Sequence, residues 1–124
     1  EHLLIASLLL DDDSARSTLG VDVATVRDAL TAVHATALAA ASVVDASAPS
    51  ALPPARGLYR SEVSTRDVFA RAKALARRSP TGLRAAHVLA AVAEREHGTA
   101  ARVLAHLAVD RSALIEAATA AADG

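Results

Sequence analysis

The sequence predicts an all-α fold made of two stacked copies of one helical unit, and three observations carry that prediction. Hydrophobic residues make up 52% of the 124-residue chain while aromatics make up only 2%. The core must therefore be built from Leu, Val, Ile and Ala, and a Leu/Ala core suits close helix–helix packing and high helix propensity. Apolar residues recur at three- and four-residue spacing along most of the chain. Finally, the chain says nearly the same thing twice. Glu1-His2-Leu3-Leu4 leads through Leu19-Gly20-Val21-Asp22 into Val26 and Leu30, and Ala86-His87-Val88-Leu89 leads through Leu107-Ala108-Val109-Asp110 into Leu114 and Ile115. The two histidines lie slightly closer together than the two Val-Asp pairs, so the copies differ by a small indel. Repeated helical units of this size bury each other's apolar faces. Such an organisation favours a binding module over an enzyme.

Residues 1–10 read as an apolar helix with Leu3, Leu4, Leu8, Leu9 and Leu10. Asp11-Asp12-Asp13 followed by Ser14 reads as a loop and helix start, with carboxylates and a Ser cap at the positive end of the next helix. That short helix is expected to stop at Gly20. Asp22 is expected to cap a long helix whose apolar face is Val23, Val26, Leu30, Val33 and Ala37. From Asp45 to about Arg60 the pattern lapses, and Pro49, Pro53 and Pro54 mark a linker. A second unit begins near Ser61 or Ser64 as caps, with Val68, Ala72, Leu75 and Ala76 facing inward. Ser79-Pro80-Thr81-Gly82 breaks that helix. Further helices follow from about Arg84 to Arg95, after Gly98-Thr99, and from the cap Asp110. The reading thus divides one domain, 1–124, into repeat one (1–44), a linker (45–60) and repeat two (61–124). Repeat two shows four helices and repeat one three.

Composition narrows the function. Thirteen basic and fourteen acidic residues give a formal net charge of −1, which lacks the basic surface that general nucleic-acid binding needs. The absence of cysteine removes disulfides and thiol nucleophiles and fits a cytoplasmic protein. The longest weakly polar stretch, Ala35 to Val44, is too short for a bilayer, and the start has no signal-peptide pattern. No phosphate-binding Gly-x-x-x-x-Gly-Lys-Ser/Thr loop is present. The chain begins without methionine, so it is expected to be a fragment, a processed form or an ordered portion, with repeat one starting in its middle.

No residue constellation proposes catalysis or a metal. His2 and His87 occupy equivalent positions and read as partly buried histidines whose rings bond to backbone. His97 and His106 do not have zinc-ligand spacing. Asp11-Asp12-Asp13 lacks the alternating ligands of a calcium loop. Glu94 and Glu96 have no evident acid–base partner, and Ser14, Ser61 and Ser64 are better explained as caps than as nucleophiles. Arg66, Arg71, Lys73, Arg77 and Arg78 form the best candidate binding patch, otherwise a solvated helix face, suited to an acidic adaptor surface. Phe69 and Tyr59 are the only aromatics. As exposed anchors they would be binding hot spots, but Phe69 is expected in the core, where large aromatics usually sit.

The two motif sets resemble the Clp N-terminal (Clp repeat) domain of Hsp100/Clp AAA+ unfoldases. Repeat one keeps Glu1-His2-Leu3-Leu4 and Leu19-Gly20-Val21-Asp22. Repeat two keeps His87-Val88-Leu89, Gly98-Thr99-Ala100-Ala101-Arg102-Val103-Leu104 and Leu107-Ala108-Val109-Asp110. The resemblance covers nearly the whole chain. It implies a pseudo-twofold bundle of two four-helix repeats, here without the first helix of repeat one, that captures substrates and adaptors for an ATP-driven ring. The space left by that helix is expected to be filled by upstream residues, a partner or a second copy. Some family members bind phosphoarginine through paired Glu residues and a preceding Thr. Glu1 matches the first Glu, but Ala86 replaces the second and Ser61 is the nearest stand-in for the Thr. The charge-assisted contact to a guanidinium is lost there, so phosphoarginine binding is not assigned. Peptide antibiotics dock on related domains where the repeats meet, which directs attention to Phe69.

The expectation is therefore a non-catalytic domain of the Clp protease and chaperone system, without cofactor, catalytic residue or metal. It binds adaptors, protein substrates or peptides and neither nucleic acid nor membrane. Glu1, Ser61, Phe69, Arg71 and Arg78 are the candidate contacts. The alternatives are a stand-alone protein sequestering peptides or antibiotics, and a structural module completed as a homodimer.

Overall fold

The structure, a computed structural model, describes residues 1–45 and 56–124, and the side chains of residues 42–64 lie outside that description. Among the described residues it is helical, as the composition predicts: α1 (His2–Leu9), α2 (Ser14–Leu19), α3 (Val23–Asp45), α4 (Arg56–Ala76), α5 (Ala85–Ala93), α6 (Thr99–His106) and α7 (Arg111–Asp123), with no strand. None of these helices is long and apolar enough to cross a membrane.

Helix α5 is the centre. Its sequence is apolar on every side, and such a helix is stable only when enclosed. All nine of its residues are buried, with α1, α2, α4, α6 and α7 packed around it. Its alanines keep the neighbouring axes close. Around it α2 packs on α7 and α3 packs on α6, so each half of the chain covers a helix of the other. The largest fully buried side chains include Leu4, Leu8, Val26, Leu89, Val103 and Leu104, all aliphatic.

Helix ends follow local chemistry. Gly20 ends α2 in the left-handed region at φ +70° and donates its N–H to the Arg16 carbonyl at 3.1 Å, a conformation that glycine takes without penalty. Asp22 Oδ1 accepts the Thr25 N–H at 2.7 Å. Asp110 Oδ1 accepts the Ser112 and Ala113 N–H groups at 2.9 and 3.2 Å. Ala108, after α6, holds φ +56°, the left-handed conformation of Gly20, although its Cβ disfavours it.

Three expectations need correction. Helix α4 begins at Arg56, not at Ser61 or Ser64. Ser61 therefore falls inside a helix, and its side chain lies outside the described residues. Ser14 is not the cap of α2, whose N-cap is Asp13; the Ser14 hydroxyl is used elsewhere, as described below. Ala37 is exposed, because the core contact of α3 comes from Val26, Ala29 and Val33.

Candidate ligand groove

The first four N–H groups of a helix have no partner within it, and those of α5 are cut off from water. The loop before α2 and the first residue of α2 supply what is needed. Asp12 Oδ2 accepts the Ala85 N–H at 2.7 Å, and Ser14 Oγ accepts the Ala86 N–H at 3.0 Å. The His87 N–H reaches the Arg84 carbonyl at 3.0 Å, while His87 Nδ1 accepts the Arg84 N–H, also at 3.0 Å. Nδ1 must then be unprotonated, which puts the ring proton on Nε2. That Nε2 is buried and has no hydrogen-bond partner among the described residues.

Arg84 completes the junction. Its Nη2 donates to Asp12 Oδ1 at 3.2 Å, and its Nη1 donates to the Ala121 carbonyl at 3.1 Å near the end of α7. Thr81 Oγ1 and Ser79 Oγ donate to the Ala122 carbonyl at 2.6 and 3.3 Å. The turn between α4 and α5 thus closes the C-terminal end of α7. Partial burial alone would raise the Asp12 carboxyl. The N–H groups of Ala85 and Ser14, with the Ser14 hydroxyl and Arg84, outweigh it and hold Asp12 at about 2 against an ordinary 3.8.

Beside this junction runs a groove of about 430 Å³. One wall is α1, through Leu3, Ala6 and Ser7, continued by Leu10 just after it. The other is Phe69 of α4 with Leu83, Ala85 and Val88, and Asp11, Asp12 and Arg84 complete the lining. Ser7 donates its hydroxyl to the Leu4 carbonyl of its own helix at 2.7 Å, which leaves the walls apolar in character. Leu10, Phe69 and Leu83 are 49%, 39% and 50% exposed. Three large, partly exposed apolar residues share this concavity, the pattern of a contact surface. A second, more open hollow of about 460 Å³ is lined by Glu96, His97, Ala101, Arg102 and Arg111, among others.

The five residues singled out from the sequence are not gathered in one place. Phe69 lines the groove, and the expectation that it lies in the core is corrected by its exposure: the inward face of α4 is taken by Val68 and Ala72. Arg71 is not a free cation. Its Nε and Nη2 donate to the two carboxylate oxygens of Glu94 at 2.6 and 2.9 Å, tying α4 to the end of α5. Arg78 is exposed and outside the groove. Glu1 lies outside it too, accepting a hydrogen bond from His34 Nε2 at 3.1 Å. Partial burial works against ionisation of Glu1, but His34 and the nearby positive charges leave its carboxyl below the ordinary value. The Ser61 side chain is outside the described residues. His2 also departs from expectation: its side chain is 90% exposed, whereas the equivalent His87 is buried.

Sequence reading missed Leu10, Leu83, Asp12 and Arg84. A signal existed for Leu83, a lone large apolar residue just after the Pro80-Thr81-Gly82 break, and for Leu10 at the edge of an apolar run against three aspartates. Among the described residues no three His, Cys, Asp or Glu side chains are grouped to hold a metal ion. Comparison with protein-family models, with curated proteins and with solved structures finds no match for this chain.

Proposed function

We propose that the chain is a Clp N-terminal-like domain of two pseudo-twofold repeats, which acts by binding segments of other proteins and passing them to an ATP-driven unfolding ring in the cytoplasm. The groove carries this reading. It is apolar, open, and framed by α1 of one repeat and by α4 and α5 of the other. A site of that composition gains binding free energy by removing Leu10, Phe69 and Leu83 from water together with an apolar partner.

Equivalences between the halves support the repeat. Gly20 and Ala108 share a left-handed backbone, Asp22 and Asp110 both cap the helix that follows, and α2 on α7 mirrors α6 on α3. The basic patch plays a smaller part than the groove, because Arg71 is held by Glu94.

The test is fluorescence anisotropy of a labelled, permanently unfolded reporter protein titrated with the chain, and then with Leu10→Asp, Leu83→Asp and Arg78→Ala. Binding weakened at least about tenfold by each groove variant and unchanged by Arg78→Ala is expected, since each buried leucine contributes roughly 1.5–3 kcal/mol. Equal affinity for all variants would remove the groove from the function. No binding of the reporter at all would end the receptor reading.

A further inference from the structure

The second hollow, of about 460 Å³, shares no lining residue with the groove and has a different chemistry. Ala101, Ala105 and Val109 give it apolar contact area, while Arg102, Arg111 and Glu96 give it charge. Elsewhere Arg16, Arg71, Arg84 and Arg95 each stand within ion-pair distance of a carboxylate. Arg102 and Arg111 do not. No carboxylate among the described residues reaches either, although Glu96 lines the same hollow. Asp110, the neighbour of Arg111 in sequence, is engaged as the cap of α7.

Arg111 is also held in place. Its Nε donates to the Ala93 carbonyl, at the end of α5, at 2.9 Å. That bond orders the guanidinium, and its Nη1 and Nη2 groups have no acceptor among the described residues. Such a group presents a fork that fits two equivalent oxygens and has little side-chain freedom left to lose on binding. With His97 uncharged at pH 7, two guanidinium groups and one carboxylate leave the hollow an excess of one positive charge. A singly charged carboxylate balances that excess. A doubly charged phosphate overshoots it and meets Glu96, whose charge has the same sign. The apolar area suits a short hydrocarbon body, and the volume is that of a small-molecule site. We infer that this hollow binds a small organic monocarboxylate, with its oxygens on Arg111 and Arg102 and its apolar part against Ala101, Ala105 and Val109. The site is independent of the groove and of the peptide-binding reading.

The experiment titrates the isotope-labelled chain with N-acetyl-leucine at neutral pH and follows its amide resonances. N-acetyl-leucinamide, of the same shape without the charge, and inorganic phosphate are the comparison ligands. The expected result is saturable shifts at Ala101, Arg102, Ala105 and Val109, with Leu3 and Leu83 of the groove unmoved. Binding at roughly millimolar concentration is the range for a small ligand held on one side. The amide should bind at least about tenfold more weakly, the scale of a lost charge-assisted hydrogen bond. Arg102→Gln and Arg111→Lys should each weaken the acid several-fold; the first removes a charge at an exposed position, and the second keeps the charge without the fork. Glu96→Gln should tighten binding, a gain that loss of structure does not produce. Arg78→Ala, outside the hollow, should leave it unchanged within about twofold. Equal binding of the amide would overturn carboxylate recognition. Tighter binding of phosphate at the same resonances would overturn the monoanion. Shifts that never saturate, or that persist unchanged in Arg102→Gln, would be screening of surface charge and would overturn the site. No shift at all would overturn it as well.

Discussion

Asp12 accepts the backbone N–H of Ala85 at 2.7 Å, across 73 positions of sequence, and so caps the helix on which the rest of the molecule is packed. The bond joins the two halves at the groove, whose lining includes both residues. It also places two polar residues in the groove's lining, since Arg84 is drawn to the same carboxylate.

Replacing Asp12 by Asn keeps the size of the side chain and removes its charge. It leaves at most one oxygen for the Ser14 and Ala85 N–H groups and none of the attraction to Arg84. A loss of about 1–3 kcal/mol is expected, the scale of charge-assisted hydrogen bonds at a buried helix start. Urea denaturation at neutral pH, with an unchanged slope, is the measurement.

The same carboxylate sets a pH dependence. Its folded pKa of about 2 lies below the ordinary 3.8, so the ionised form is favoured by the fold. The stabilisation is complete above the ordinary value and is lost as pH falls through the folded one. The stability gap between wild type and Asp12→Asn should therefore be constant near neutrality and shrink as pH falls from about 4 towards 2. A gap that instead widened on acidification would contradict the assignment.

Ala108 sits at φ +56° where its counterpart is Gly20. Changing Ala108 to Gly removes the clash of Cβ with the left-handed backbone, and part of that gain is offset by the greater freedom of glycine when unfolded. The expected net change is a stabilisation of about 1 kcal/mol, read as a rise in the melting temperature. Gly20→Ala should act in the opposite sense. Its Cβ would meet nothing within 4 Å, so backbone strain alone would cause the loss.

Phe69 and Leu8 separate function from stability. Leu8 is fully buried, and Leu8→Ala should cost about 3 kcal/mol through lost transfer free energy and a cavity. Phe69→Ala should cost less than Leu8→Ala, because Phe69 is 39% exposed, yet weaken reporter binding. Thermal melts and anisotropy on the same two variants measure both quantities.

What could be read along the chain was whatever chemistry closes within a few residues. Gly20 as a helix stop, Asp22 and Asp110 as caps, and the helical character of the Leu/Ala segments all follow from local backbone bonds and side-chain periodicity. The exposed site was less legible. Phe69 looks like a core residue because aromatic burial is the common case; the inward face of α4, Val68 and Ala72, follows from periodicity, but only the tertiary structure leaves Phe69 exposed beside Leu83. Arg71 looks like part of a solvated patch until Glu94, on another helix, is brought to it.

The sequence by itself thus determined the helical class, the helix-ending signals and the doubling of motifs, since these depend on interactions within a turn or two. Only the tertiary structure decided which helix is central and that Asp12 and Ser14 reach across to the start of α5. It alone also decided that Leu10, Phe69 and Leu83 share one groove while His2 is bare and His87 enclosed. Those outcomes depend on which surfaces exclude water from one another, and that is settled by the packing of segments far apart in the chain.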